Sequence, residues 1–293
     1  MTYWLKKHFL PACLTLWGFM GMVSPLWAQQ EIVPWNGIKD TRVRMWVYRP
    51  TPKLSNGRAV VIFPGGSYHH LGINHEGHQV AKEMAAHGYT AFAVRYSTST
   101  YDYSYPDMME DAQRTLQIVK DYADAFDIDS SAVGVMGFSA GGHLAGWTGT
   151  YYADNLLTKW GIHTKTSVRP AFVGMFYPVV SMHDDIVHAD SRDNLLTLYH
   201  SEGLLQRMSL EDNVHPGMPP VYILCCRDDK VVKPQNSLRY HDSLDCKGVP
   251  NKLVIYEKGG HGFGFDKKNP ISVTWMADFL IWLDDIFKKS LAN

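Results

Sequence analysis

The sequence predicts an α/β fold, a mostly parallel sheet with helices on both faces. Two observations carry this. Short, wholly apolar runs recur along the chain, such as Ala59-Val60-Val61-Ile62-Phe63, and suit strands buried on both faces. Between them lie longer stretches with apolar residues three or four apart, the helical spacing. Taken in order, residues 42–49 alternate in character and read as a strand. Residues 58–63 form the next, ending in Pro64-Gly65-Gly66. A helix over 75–87 places Val80, Ala81, Met84 and Ala85 on one face and stops at Gly88. Residues 89–96 are a strand. Pro106 opens a longer helix with Met109, Ala112, Leu116, Val119 and Tyr122 along one side. A strand over 132–138 runs into a helix over 139–152. Residues 171–180 and 221–225 are two more buried strands, with a polar excursion between them. A late strand over 252–256 and an amphipathic helix over 275–288 follow. In such sheets the chemistry sits at the C-terminal ends of the strands.

The chain has 293 residues, 45% of them hydrophobic and 13% aromatic, enough for one large packed core and too apolar for disorder. Basic and acidic side chains nearly balance, 28 against 29, so nothing favours nucleic acid or an anionic membrane surface as partner. Residues 1–28 read as an export signal. Lys6 and Lys7 precede a largely apolar run over 9–23, and Ala28 offers a small residue for cleavage. That run is shorter than the ~20 residues a spanning helix needs, so removal is expected, with no stable membrane insertion afterwards. The two lysines leave with it and no acid does, so the net charge moves from −1 to −3. Residues 29–293 are then one domain, secreted or periplasmic. Cys225, Cys226 and Cys246 form neither a disulfide framework nor a zinc pattern. One bridge to Cys246 is open to them, and so are free thiols.

Gly137-Phe138-Ser139-Ala140-Gly141 fits Gly-x-Ser-x-Gly between a strand and a helix. A sharp turn there lifts the Ser139 hydroxyl clear of the sheet, and flanking glycines let neighbouring backbone approach where a Cβ would clash. A serine needs a base. His261 stands among Gly259, Gly260, Gly262 and Gly264 after the last strand, on a loop free to reach Ser139. The base needs an acid to hold its tautomer. Asp228 and Asp229 both follow the strand over 221–225, and either carboxylate could serve. The order Ser139, Asp, His261 is that of an α/β-hydrolase. Asp229-Lys230-Val231-Val232 matches the Asp-x-x-Val pattern common in such enzymes, which favours Asp229. Pro64-Gly65-Gly66-Ser67-Tyr68 stands where these folds carry their oxyanion loop. The N–H groups of Gly66, Ser67 and Ala140 are its candidate donors. Tyr68, His69 and His70, beside that loop, are candidate substrate contacts.

With these motifs the chain resembles the α/β-hydrolase esterases of polysaccharide-degrading bacteria, in the acetyl xylan esterase and xylanase-B-like group. The likeness also runs through His75-Glu76-Gly77, Gly142-His143, Ser191-Arg192-Asp193-Asn194-Leu195 and Asn236-Ser237. It implies a serine carboxylesterase that removes acyl, chiefly acetyl, groups from plant glycans such as xylan, without a cofactor. Two departures stand out: Pro64 replaces the histidine common in the oxyanion loop, and Ser67 its third glycine. Some similar sequences carry an endo-xylanase label, but the paired carboxylates of glycosidic cleavage are not read here. A feruloyl or general carboxylesterase is the alternative enzyme. A non-catalytic glycan-binding protein on a hydrolase scaffold is the alternative of another class. Residues 183–188, with His183 and His188 around two aspartates, read as solvated loop rather than as a metal cluster. His75 and His78 fall one residue short of a His-Glu-x-x-His spacing. Trp147, Tyr151 and Trp160 read as packing rather than as sugar-stacking faces.

Overall fold

The computed structural model describes residues 30–39 and 41–292. The segment read as an export signal, residues 1–28, lies outside them. Eight strands form one sheet in the order β1-β2-β4-β3-β5-β6-β7-β8. They are β1 (Gln30–Ile32), β2 (Arg44–Tyr48), β3 (Ala59–Phe63), β4 (Thr90–Arg95), β5 (Val133–Phe138), β6 (Val173–Phe176), β7 (Val221–Cys226) and β8 (Asn251–Tyr256). From β4 to β8 across the sheet every pairing is parallel. The pairs β1–β2 and β2–β4 are antiparallel. Side-chain pattern follows position. Strands β3, β5, β6 and β7 are buried at every residue, whereas β2 alternates buried and half-buried. That difference is expected between the middle of a covered sheet and its antiparallel margin.

The helices are α1 (Gln79–Ala86), α2 (Asp107–Asp121), α3 (Ala123–Phe126), α4 (Ala140–Thr150), α5 (Ala189–Leu196), α6 (Glu202–Met208), α7 (Gln235–Cys246) and α8 (Pro270–Ala292). They cover both faces, and the period of two along each strand sorts the core into two clusters. On one side Val61, Phe63, Val135 and Ile223 pack with Met109 and Leu116 of α2, Leu144 of α4 and Leu244 of α7. On the other, Val60, Ile62, Met136 and Leu224 pack with Met84 of α1 and with Trp275, Phe279 and Leu283 of α8. Each such buried side chain contributes roughly 1.5–3 kcal/mol.

The strands expected from sequence are all present, with ends shifted by at most four residues. The helix expected over 75–87 begins as a wider turn over Ile73–His78 before α1. The polar excursion holds α5 and α6. Cys225, Cys226 and Cys246 are free thiols, the first two buried and the third exposed. Among the described residues no helix is long and apolar enough to cross a membrane.

Candidate active site

Ser139 follows β5 directly and caps α4 with φ 53° and ψ −121°, a backbone region a side-chain-bearing residue avoids. Such a residue costs about 1–3 kcal/mol and persists only where its surroundings over-determine it. Here they do. The Ser139 N–H donates to the Phe176 carbonyl at 2.9 Å, and the Ser139 carbonyl accepts from Val179 N–H at 3.1 Å. A Cβ on Gly137 would run into the Gly141 carbonyl, and one on Gly141 into the carbonyls of Phe63 and Pro64. The Gly-x-Ser-x-Gly spacing is therefore a packing requirement of the turn itself. Phe138, just before the serine, stacks on Phe176 with centroids 4.9 Å apart and fixes the strand end.

The loops after β7 and β8 bring two more side chains to Ser139. His261 Nε2 lies 2.9 Å from Ser139 Oγ. His261 Nδ1 lies 2.7 Å from Asp229 Oδ2. A carboxylate accepts, so Nδ1 carries the proton and Nε2 is left to accept from the serine hydroxyl. The other Asp229 oxygen accepts from the N–H groups of Val231 at 2.9 Å and Val232 at 3.0 Å. That is the physical content of the Asp-x-x-Val spacing. Asp228, exposed, instead accepts from Gly260 N–H at 2.8 Å, and this bond holds its carboxyl below the usual range. It pins the histidine loop rather than the imidazole. Gly260 and Gly262, on either side of His261, have φ of 61° and 73°, which explains the glycine-rich setting.

The candidate oxyanion loop, residues 64–68, follows β3, the strand next to β5. Gly66 O accepts from both His69 N–H and His70 N–H, folding residues 66–70 into a tight turn beside Ser139. Ser67 and Tyr68 both take left-handed φ, 55° and 58°, so Ser67 stands where a third glycine would sit without strain. Gly65 N–H donates to Glu76 Oε2 at 2.7 Å.

Glu76 is a feature sequence reasoning did not assign to the site. It is 3% exposed, and its other oxygen accepts from Tyr177 O–H at 2.8 Å. The same Tyr177 hydroxyl oxygen accepts in turn from Gly264 N–H at 2.9 Å, and its ring lies 4.8 Å from the His261 ring. One buried carboxylate thus ties the oxyanion loop to the histidine loop. The signal in the sequence was the His75-Glu76-Gly77 motif, which carries no chemistry until the fold places it. Asn236 does similar work below the serine turn. Its Oδ1 accepts from Val180 N–H and Ser181 N–H, both at 2.9 Å.

Tyr68 does not line an opening, contrary to the sequence expectation. It is fully buried, and its hydroxyl donates to His143 Nδ1 at 2.7 Å. His143 Nε2 must carry the hydrogen, because its partner is the Met208 carbonyl at 2.8 Å. Burial pulls the His143 pKa down to about 4. His69 and His70 are exposed, as a substrate contact requires. They form part of the wall of a cavity of about 300 Å³ next to the loop.

The histidines and aspartates of residues 183–188 are dispersed among separate partners. Asp184 pairs with Arg192, Asp185 with Arg239, and His188 caps α5 by accepting from Ser191 N–H. His183 joins Asp212, 2.6 Å away, and that bond raises its pKa. Glu211 lies within reach of the same pair, with Arg239 Nη1 3.9 Å from its carboxylate. Trp147 is buried against Tyr151, and Trp160 packs edge-on to Trp35.

The BD-FAE family model matches residues 45–244, more than half of the chain. This chain belongs to the BD-FAE family. Within the wider α/β-hydrolase fold, this BD-FAE domain is 33% identical over 239 residues to an acetylxylan esterase of Xylanibacter ruminicola, covering 80% of this chain and 47% of that protein. It is 31% identical over 206 residues to endo-1,4-beta-xylanase B of Butyrivibrio fibrisolvens, covering 69% and 32%. The BD-FAE chain therefore spans about half and a third of the lengths of these two relatives. Among solved structures, the acetyl ester-xyloside bifunctional hydrolase of Caldicellulosiruptor lactoaceticus matches with a TM-score of 0.79 at 28% identity, covering 88% of this chain and 96% of that one.

Proposed function

We propose that this chain is a serine carboxylesterase that removes acetyl groups from plant polysaccharides or oligosaccharides such as xylan. The observation that carries the reading is the unbroken line from Ser139 Oγ through His261 to Asp229, at 2.9 and 2.7 Å. The bonding fixes the imidazole tautomer that a general base needs. His261 takes the hydroxyl proton as Ser139 attacks the ester carbonyl. The N–H groups of Gly66, Ser67 and Ala140 receive the developing oxyanion, and the N-terminus of α4 favours its charge. The alcohol leaves with the proton from His261. Water, deprotonated by the same imidazole, then releases the acid. Asp229, held by two backbone N–H groups, stabilises the imidazolium. No cofactor enters this scheme.

The acetyl assignment draws on relatives whose names specify acetylxylan and acetyl esters. The export expectation for residues 1–28 belongs to the same proposal, a secreted or periplasmic enzyme meeting its glycan outside the cytoplasm.

Replacing Ser139 with alanine tests the nucleophile. Turnover of 4-nitrophenyl acetate should fall by roughly ten-thousandfold or more while the circular dichroism spectrum is unchanged. Persistent activity would overturn the assignment. Acetate release from acetylated xylan, compared with ferulate release from methyl ferulate, separates the acetyl from the feruloyl reading. A fluorophosphonate probe that fails to label the wild-type protein would leave only the glycan-binding alternative.

A further inference from the structure

We propose that the cavity beside the oxyanion loop is a subsite for a carboxylate-bearing sugar, a uronic acid unit of the acylated glycan. This rests on the esterase reading above and extends it to the chemistry of the chain that carries the ester. The cavity, about 300 Å³, lies at the lower end of the size range of small-ligand sites, ~300–1,000 Å³. It suits one ring rather than a long aglycone.

Its described walls bear no aspartate or glutamate, but they include Arg42, Arg95, His69 and His70. Arg95 is only partly exposed, at the end of β4, and makes no ion pair with any described residue. Arg42 lies over the Tyr101 ring, 4.2 Å from its centroid, a stacking that leaves the edge of its guanidinium available to an anion. A part-buried guanidinium with no carboxylate opposite among the described residues is an incomplete pair, and a planar carboxylate is the partner its fork fits. Trp46 and Tyr101 supply aromatic surface on the same walls, as a sugar ring prefers. Charge and shape together specify an acidic carbohydrate rather than a neutral one.

Position ties the cavity to the reaction. His69 and His70 fold back onto Gly66 O, within the turn that holds Ser67. At one Cα step of 3.80 Å per residue, His69 is no more than about 8 Å along the chain from Ser67. Tyr96, on the cavity wall, donates its hydroxyl to Pro64 O at 2.7 Å, under the same loop. The opening therefore adjoins the turn that would hold the ester oxygen, within reach of a neighbouring sugar unit.

The test compares acetylated xylo-oligosaccharides that carry a glucuronic acid branch with neutral ones of equal length, using the full chain. At low ionic strength kcat/KM should be about tenfold or more higher on the acidic substrate, the range of a charge-assisted hydrogen bond. The preference should shrink as salt is added. Arg95→Gln and Arg42→Gln should each lower it toward the neutral value and leave 4-nitrophenyl acetate turnover unchanged. Equal rates on the two oligosaccharides by an enzyme active on 4-nitrophenyl acetate would overturn the subsite and spare the esterase. If no ester is cleaved at all, calorimetry of the deacetylated acidic oligosaccharide against the wild-type chain still decides. Binding that the neutral analogue does not show supports the subsite with the esterase reading lost, and no binding removes both.

Discussion

Single side chains in this site differ in what they do even when they are neighbours in sequence. Asp228 and Asp229 show it most clearly, since one holds a loop through Gly260 N–H and the other holds an imidazole. Asp229→Asn should lower kcat on 4-nitrophenyl acetate by roughly 10⁴-fold, the cost of the wrong tautomer in other serine triads. Asp228→Asn keeps an acceptor for Gly260 N–H and should cost less than about tenfold, so steady-state kinetics on the pair separates the roles. Comparable losses would mean the acid has been misassigned. Glu76 offers a second contrast. Both of its oxygens accept, from Gly65 N–H and Tyr177 O–H. A glutamine there turns one acceptor into a donor facing a donor, leaving a buried polar group unpaired at about 1–3 kcal/mol. The expected result for Glu76→Gln is a kcat on 4-nitrophenyl acetate lowered about tenfold or more with KM nearly unchanged, because the displaced N–H donors act on the transition state rather than on the bound ester. A change in KM alone would place Glu76 in binding instead.

At the scale of the element, the decisive unit is the junction of β5 with α4. It brings the helix so close to the end of β3 that Gly141 has no room for a methyl group against the Phe63 and Pro64 carbonyls. Overpacking of this kind usually costs about 1–3 kcal/mol, and more where backbone is the obstacle. Gly141→Ala should therefore lower the urea midpoint and, by tilting Ala140 N–H, depress esterase activity beyond what the stability loss explains. Gly203, with open space around it on α6, is the control, and its alanine variant should leave both measurements near wild type. The junction was legible in the sequence because a motif, an apolar run and a helical spacing coincide there. So were the strands, whose apolar runs are buried on both faces. Helices α5 and α7 were not, because their sequences are polar, with apolar residues too few to show a stripe. They are held by a few buried apolar side chains, such as Leu195 and Leu244, and by buried polar bonds, such as His188 to Ser191 N–H and Asn236 to the β6 loop. Periodicity does not report that kind of support. The same blindness hid the Glu76 network and made Tyr68 read as a pocket residue, since an aromatic beside an active loop looks alike whether it faces solvent or a buried histidine.

For the molecule as a whole, the buried histidine links catalytic architecture to stability. His143 extends the serine motif in sequence, yet it lies in the core between Tyr68 and Met208 O, with its pKa drawn down to about 4 from an ordinary 6.5. Between those values the unfolded chain binds the proton and the folded chain does not, so stability rises with pH across that window. The contribution is complete above about pH 6.5 and is lost as pH falls toward 4, by up to roughly 3 kcal/mol. Asp111 works in the opposite sense. Burial raises its pKa from 3.8 to about 6, so the folded state holds the extra proton, and its contribution declines as pH rises from about 4 through 6. The two partly cancel, and the wild-type profile alone does not reveal either. Comparison with His143→Gln does, because the amide keeps a donor and an acceptor but does not titrate. Urea midpoints measured at pH 7 and pH 4.5 should fall further for the wild type than for the variant, with the gap narrowing at acid pH. Parallel profiles for the two proteins would show that this imidazole titrates in the folded state as it does in the unfolded one, and that the Tyr68–His143 bond does not shield it.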